Sequence, residues 1–311
     1  MISKRARLIN FILRLLKVQE RLADYDTGMK FLARDRRHGP ARPGRWIRKH
    51  CQIIENQIDN HKVYEIEPKE GASKRHIFYL HGGGYAFHIV FVHWMMIKRL
   101  IKATGASATV PLYPLAPEHD WSQSYPVVMQ AYDRAVTKYG AENIAIMGDS
   151  AGGGYSLGLT QMLRDQGKPM PGKIILLSPW LDATASDPLQ PELEKHDVLL
   201  SVQGARTAGQ FWAGEGKDPA TFPVSPLFAA IDMLPPIAIF AGSHDLLYAD
   251  ALRLKAKADK QDIPLTLYVG DQMQHVWMLL PIREAKLARS QIISFIMHEA
   301  MVSSSETDRA G

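Results

Sequence analysis

The run Ile144-Ala145-Ile146-Met147-Gly148-Asp149-Ser150-Ala151-Gly152 carries the chain from four apolar residues straight into a serine set between glycines. A short apolar quartet ahead of a turn suits a strand buried on both faces. Glycines two before and two after the serine let the backbone reverse sharply into a helix, which lifts the hydroxyl above the C-terminal edge of a sheet. A serine so placed is posed to attack a carbonyl. Composition alone produces this pattern in roughly one chain in ten of this length, so it needs support from elsewhere.

That support lies upstream, where His81-Gly82-Gly83-Gly84 follows the apolar run Ile77-Phe78-Tyr79-Leu80. Three consecutive glycines leave main-chain N–H groups unshielded by any side chain. Fixed donors aimed at a tetrahedral oxyanion contribute about 3–4 kcal/mol each to its stabilisation. A chance H-G-G-G is on the order of a hundredfold rarer than the serine pattern, and the two in this order point to acyl transfer.

With both motifs the chain resembles the hormone-sensitive lipase-like branch of the α/β-hydrolases, of carboxylesterase type. Tyr113-Pro114-Leu115-Ala116-Pro117-Glu118-His119 is similar to that branch's Y-R-L-A-P-E-H, and Ser178-Pro179-Trp180-Leu181-Asp182 to its S-P-W-L-D. The likeness runs from about residue 60 to about residue 300. Three positions depart from it: Pro114 stands for Arg, Leu246 for the Pro of D-P-L, and Gly154 for the Asn that often follows the elbow. The resemblance implies an α/β fold with a mostly parallel central sheet flanked by helices and covered by a helical lid. It implies oxyanion donors at Gly83, Gly84 and Ala151, with His81 supporting the glycine loop, and pairing of two copies through a late strand and the terminal helix.

A nucleophilic serine needs a base, and the base needs an orienting carboxylate. In this fold the chain order is serine, acid, histidine, the last two on loops after late strands. Ile237-Ala238-Ile239-Phe240 leads into Ala241-Gly242-Ser243-His244-Asp245, and Leu265-Thr266-Leu267-Tyr268-Val269 leads into a loop carrying His275. Asp245 and His275 are therefore expected to complete a triad with Ser150. Asp250 falls where the next segment already reads as helix, His244 precedes the acid, and His298 lies inside an amphipathic stretch over 281–302.

A chain of 311 residues with 46% hydrophobic content can bury the core of one enzyme domain. Its single cysteine, Cys51, forms no internal disulfide, which makes the cytoplasm the default location. The net charge of +5 hides an asymmetry: residues 1–50 hold 14 Lys or Arg against 4 Asp or Glu, a balance of +10, leaving −5 for the rest. Ile9 together with Leu8, Phe11, Ile12, Leu15 and Leu16 gives that N-terminus helical periodicity, broken by Arg14 and Lys17 too early for a signal peptide or a membrane span. Two readings stand side by side: part of a lid, as in the family, or a basic amphipathic helix lying on an anionic membrane surface. The Arg-rich stretch 32–44 reads as a linker. It lacks the interleaved aromatics of a nucleic-acid patch.

Strands are predicted over 63–66, 77–80, 108–112, 144–147, 174–177, 237–240 and 265–269, their continuous hydrophobicity suiting a sheet with helices on both faces. Residues 187–222 are too long for a simple crossover and contain a helical piece over 202–212, read as the second half of the lid. The expected division is an N-terminal lid segment and basic linker over 1–50, a catalytic domain over 51–302, and a disordered polar tail over 303–311. Tyr85, Phe87, Trp180, Phe211, Trp212 and Trp277 are candidates for the substrate pocket.

No metal is expected: His88 and His93 are off the spacing of a helical zinc pair, and there is no H-E-x-x-H or C-x-x-C. No nucleotide or other cofactor is indicated, since no G-x-G-x-x-G opens a helix after a strand. The expected reaction is hydrolysis of small ester substrates with short- to medium-chain acyl groups through an acyl-enzyme. Amide or N-acyl cleavage on the same triad is the enzymatic alternative. A non-catalytic ligand-binding module is disfavoured because such relatives typically lose the histidine, whereas His275 is present.

Overall fold

The computed structural model describes residues 2–298, so the tail expected over 303–311 and the last residues of the segment 281–302 lie outside it. In chain order the elements are α1 (Lys4–Leu15), α2 (Val18–Ala23), α3 (Tyr25–His38), α4 (Arg45–His50), β1 (Cys51–Ile58), β2 (His61–Pro68), β3 (His76–Leu80), α5 (Phe91–Thr104), β4 (Ser107–Pro111), α6 (Trp121–Tyr139), β5 (Ile144–Asp149), α7 (Ala151–Asp165), β6 (Lys173–Leu177), α8 (Gln190–Glu194), α9 (Val202–Ala213), β7 (Ile237–Gly242), α10 (Tyr248–Asp259), β8 (Leu265–Gly270) and α11 (Glu284–Met297).

The strands form one eight-stranded sheet in the order β1-β2-β4-β3-β5-β6-β7-β8. The pairs from β4 to β8 are parallel, while β1–β2 and β2–β4 are antiparallel. The apolar runs of β3 to β7 are continuous because both faces are covered, whereas β8, at the sheet edge, is half exposed despite its apolar sequence, with Val269 47% exposed. Ile77 and Tyr79 of β3 point into a core with α5 and α11, whereas Phe78 and Leu80 point into one with α6 and α7. A third cluster packs α10 against β6 and β7.

Two expectations need correction. The edge strand β1 does not appear among the predicted strands, because Cys51-Gln52-Ile53-Ile54-Glu55-Asn56-Gln57-Ile58 mixes polar and apolar residues as a half-exposed edge does. The supposed linker is helical as far as His38, where Gly39 ends α3 at φ +68°. Arg34, Arg37 and Arg42 are exposed, but Arg36 is used for contacts. Arg36 grips the Glu118 carboxylate with Nε and Nη2 at 2.9 and 2.8 Å and donates to the carbonyls of Ala86 and Ala116 at 2.7 and 2.9 Å, fastening the N-terminal helices to the domain.

Candidate active site

β5 ends at Asp149 and α7 begins at Ala151, leaving Ser150 alone at the turn with φ 54° and ψ −123°. A non-glycine residue holds such a conformation only where its surroundings over-determine it. Here the Ser150 N–H donates to the Leu177 carbonyl at 2.8 Å, and its own carbonyl accepts from Trp180 N at 3.0 Å. The flanking glycines are required sterically as well: a Cβ on Gly152 would stand 2.0 Å from the Leu80 oxygen, and one on Gly148 2.1 Å from the Gly152 oxygen.

The loops after β7 and β8 bring Asp245 and His275 to this serine. His275 Nε2 lies 2.9 Å from Ser150 Oγ, and its Nδ1 lies 3.1 and 3.0 Å from the two oxygens of Asp245. Asp245 is fully buried, and its Oδ1 accepts the Leu247 N–H at 2.9 Å. Burial pulls the His275 pKa down, but the charge and hydrogen bond of Asp245, helped by Asp197 and Asp149, outweigh it and leave the imidazole raised above its ordinary value. The next residue, Val276, is β-branched yet sits at φ +48°, its N–H held by Ser178 Oγ at 3.1 Å. Backbone strain of this kind concentrates where a side chain must be aimed.

The rival residues are placed elsewhere. Asp250 uses Oδ2 to accept the N–H groups of Leu181 and Asp182 at 2.8 and 3.0 Å, and burial pushes its pKa up to about 8. His244 stacks on His196, and the His298 ring bonds the Ser294 carbonyl in the last turn of α11 at 2.7 Å. His88 and His93 are also accounted for: His88 bonds Asp35 at 2.6 Å, and His93 bonds Asp149 at 3.2 Å.

Asp149 joins the elbow to the glycine loop. Its Oδ1 accepts from the Gly82 N–H at 3.1 Å and from the Tyr79 hydroxyl at 2.6 Å, while Oδ2 faces His93. Burial alone would raise its pKa, but the His93 charge and these hydrogen bonds hold it below the usual carboxylate value. Gly83 and Gly84 follow at φ +116° and +60°. Among the described residues, no acceptor engages the N–H groups of Gly83, Gly84 or Ala151. His81 is buried, stacks on Tyr113 at 4.4 Å, and burial lowers its pKa to about 3, so it is neutral there.

A cavity of about 510 Å³ opens onto Ser150 and His275. Phe87, Trp180 and Phe211 line it, together with Leu22, Met29 and Leu32 from α2 and α3 and with Leu199 and Leu200 ahead of α9. The other three aromatic candidates do not reach its wall. Tyr85 and Trp212 stack face to face at 4.1 Å inside the core, and Trp277 packs over Gly270, where a Cβ would stand 2.6 Å from its ring. No residue of α1 lines the cavity.

One buried carboxylate was not foreseen. Asp197, in the 187–222 insertion, sits beside Asp245 and accepts three main-chain N–H groups: Leu199 at 2.7 Å, Leu200 at 3.0 Å and Leu246 at 2.7 Å. An aspartate two residues before a leucine pair is the local signal of such a turn, but only the fold brings Leu246 to it.

Comparison with known proteins agrees with the geometry. The family model described as alpha/beta hydrolase fold matches residues 77–279. An esterase of Acinetobacter venetianus is 31% identical over 74% of this chain and 77% of its own length. A triacylglycerol lipase of Mycobacterium tuberculosis is 30% identical over 71% of this chain and 46% of that protein. The crystal structure of an esterase from the bacterial hormone-sensitive lipase family superposes with a TM-score of 0.81 at 26% identity, over 96% of this chain and 99% of that one.

Proposed function

The chain belongs to the alpha/beta hydrolase fold family, in its hormone-sensitive lipase-like branch, and from that premise we propose that it hydrolyses carboxylic esters with Ser150 as nucleophile. The observation that carries the assignment is the continuous relay Ser150–His275–Asp245, every link within 3.1 Å. Ser150 Oγ attacks the ester carbonyl carbon as its proton passes to His275 Nε2. The carbonyl oxygen becomes an oxyanion held by the N–H groups of Gly83, Gly84 and Ala151. Collapse breaks the bond to the alcohol oxygen, which takes the proton from His275 and leaves an acyl-Ser150. Water then repeats the attack with His275 as base and releases the acid.

The cavity's size and apolar walls favour small, uncharged esters, with α2, α3 and α9 acting as a lid. An active-site-directed fluorophosphonate is expected to label Ser150 stoichiometrically, and p-nitrophenyl esters of short to medium chain are expected to turn over faster than both the palmitate ester and the matching anilides. Failure to label would remove the serine mechanism, and faster anilide cleavage would favour the amidase reading.

A second surface supports the membrane reading of the N-terminus, now confined to α1. Leu8, Phe11, Ile12, Leu15 and Leu16 are all exposed, Phe11 and Leu15 by 63% and 69%. Lys4, Arg5, Arg7, Arg14 and Lys17 surround them, and no acid precedes Glu20. Arg5 also lines a hollow with Arg99, Arg283, Lys286 and Arg289. An apolar stripe flanked by cations suits an anionic bilayer surface, on which the helix would lie; no described helix is long and apolar enough to cross a membrane. Vesicles containing phosphatidylglycerol are expected to co-float with the protein, those of phosphatidylcholine alone much less, and the Phe11→Glu, Leu15→Glu double variant to lose binding while hydrolysing soluble esters normally. Equal binding by that variant would sink the proposal.

A further inference from the structure

Asp197 spans two parts of the molecule. Its Oδ1 holds the N–H groups of Leu199 and Leu200, which wall the cavity, and its Oδ2 holds the N–H of Leu246, the residue after Asp245. Asp197 is 3% exposed and Leu246 not at all, so each of these groups must be paired within the protein. The pattern D-P-L has proline at position 246, and proline carries no N–H to satisfy. Leucine there introduces a buried donor, and Asp197 is its acceptor.

Two successive N–H groups behind the triad acid are thus each held by a carboxylate. Leu247 N–H fixes Asp245 Oδ1, and Leu246 N–H is fixed by Asp197. Releasing the second lets the turn rotate and moves Asp245 relative to His275 Nδ1. We infer that Asp197 is a positioning residue for the Asp245–His275 pair, acting through the Leu246 N–H and tying the cavity wall to the base. The ionisable groups that face it are Asp245 and His275 on the two catalytic loops, with His196 and His244 stacked nearby and Asp149 adding to the field at His275 from the elbow. Burial, with the Asp245 charge adding and His275 opposing, raises Asp197 to about 6.

The inference rests on the triad reading, which fluorophosphonate labelling of the wild type tests separately: an unlabelled wild type would defeat the triad itself, whereas a labelled wild type with the outcomes below would defeat the role of Asp197 alone. Asp197→Ala is expected to lower kcat on a soluble ester by on the order of ten- to a hundredfold with KM changed by less than about twofold, as misplacement of a base does. In a Leu246→Pro background, where the donor is gone, the same substitution should cost much less. Asp197→Asn removes a charge that raises His275, so the acid limb of kcat/KM should move to lower pH by about half a unit or more. Equal kcat losses in both backgrounds would overturn the inference. So would a change confined to KM with an unmoved acid limb, which would make Asp197 a wall residue only. Should Leu246→Pro fail to fold, the Asp197→Asn profile and the kcat-against-KM split decide alone.

Discussion

Ser150→Ala is expected to reduce ester turnover by about five to six orders of magnitude while leaving the fold intact. The size follows from what is lost and what is kept. Removing Oγ abolishes the covalent route altogether, whereas the donors at Gly83, Gly84 and Ala151 and the cavity still bind and polarise an ester, which in triad hydrolases sustains about 10³–10⁴ over water. The fold should survive because, among the described residues, the side chain of Ser150 hydrogen-bonds only to His275, at the cavity surface, and alanine keeps the N–H to Leu177 and the carbonyl to Trp180. Thermal melting and circular dichroism measured beside the kinetics separate lost chemistry from lost structure. Retained turnover in a folded variant would refute the nucleophile.

Asp245→Asn should cost about 10⁴ in kcat, and Asp250→Asn next to nothing. The carboxylate of Asp245 accepts a proton-bearing Nδ1 from His275 and so leaves Nε2 free to take the serine proton. An amide NH₂ in its place favours the opposite tautomer, with Nε2 protonated and unable to act as base. Asp250 differs in kind: burial keeps it neutral below about pH 8, and asparagine reproduces its one used acceptor oxygen toward Leu181 and Asp182. The pair of variants discriminates the two acids five positions apart, and the kinetic contrast should be largest at neutral pH. Similar losses in both would mean that Asp250 serves the site in a way its hydrogen bonds do not indicate.

The candidate constellation was legible in the chain because each part follows a parallel strand written as a largely apolar run, buried in β3, β5 and β7 and half exposed in the edge strand β8. Ile77–Leu80, Ile144–Met147, Ile237–Phe240 and Leu265–Val269 each deliver their functional loop at once. What escaped was whatever depends on partners distant in sequence. β1 hides in a mixed polar pattern because only one face is covered, and α3 looks like a linker because Arg36 is satisfied by Glu118 and by carbonyls of another segment. Aromatic residues near the motifs were equally ambiguous. Trp180 and Trp212 belong to the same neighbourhood, but only the stacking of Trp212 on Tyr85 shows that it faces the core and not the cavity. Asp197 is the extreme case, since its significance lies in a bond to a residue 49 positions away.

The residues that would perform the chemistry and those that shape the cavity come from different stretches of the chain: strand ends for the first, α2, α3 and the 187–222 insertion for the second. Substrate range is therefore open to segment exchange, with the insertion of one relative transplanted onto the strand ends of another. The clasp at Leu246 fixes the compatibility rule for such chimaeras. A donor insertion without an acceptor at position 197 strands a buried N–H beside Asp245, so the graft must carry its own carboxylate or arrive with proline at 246.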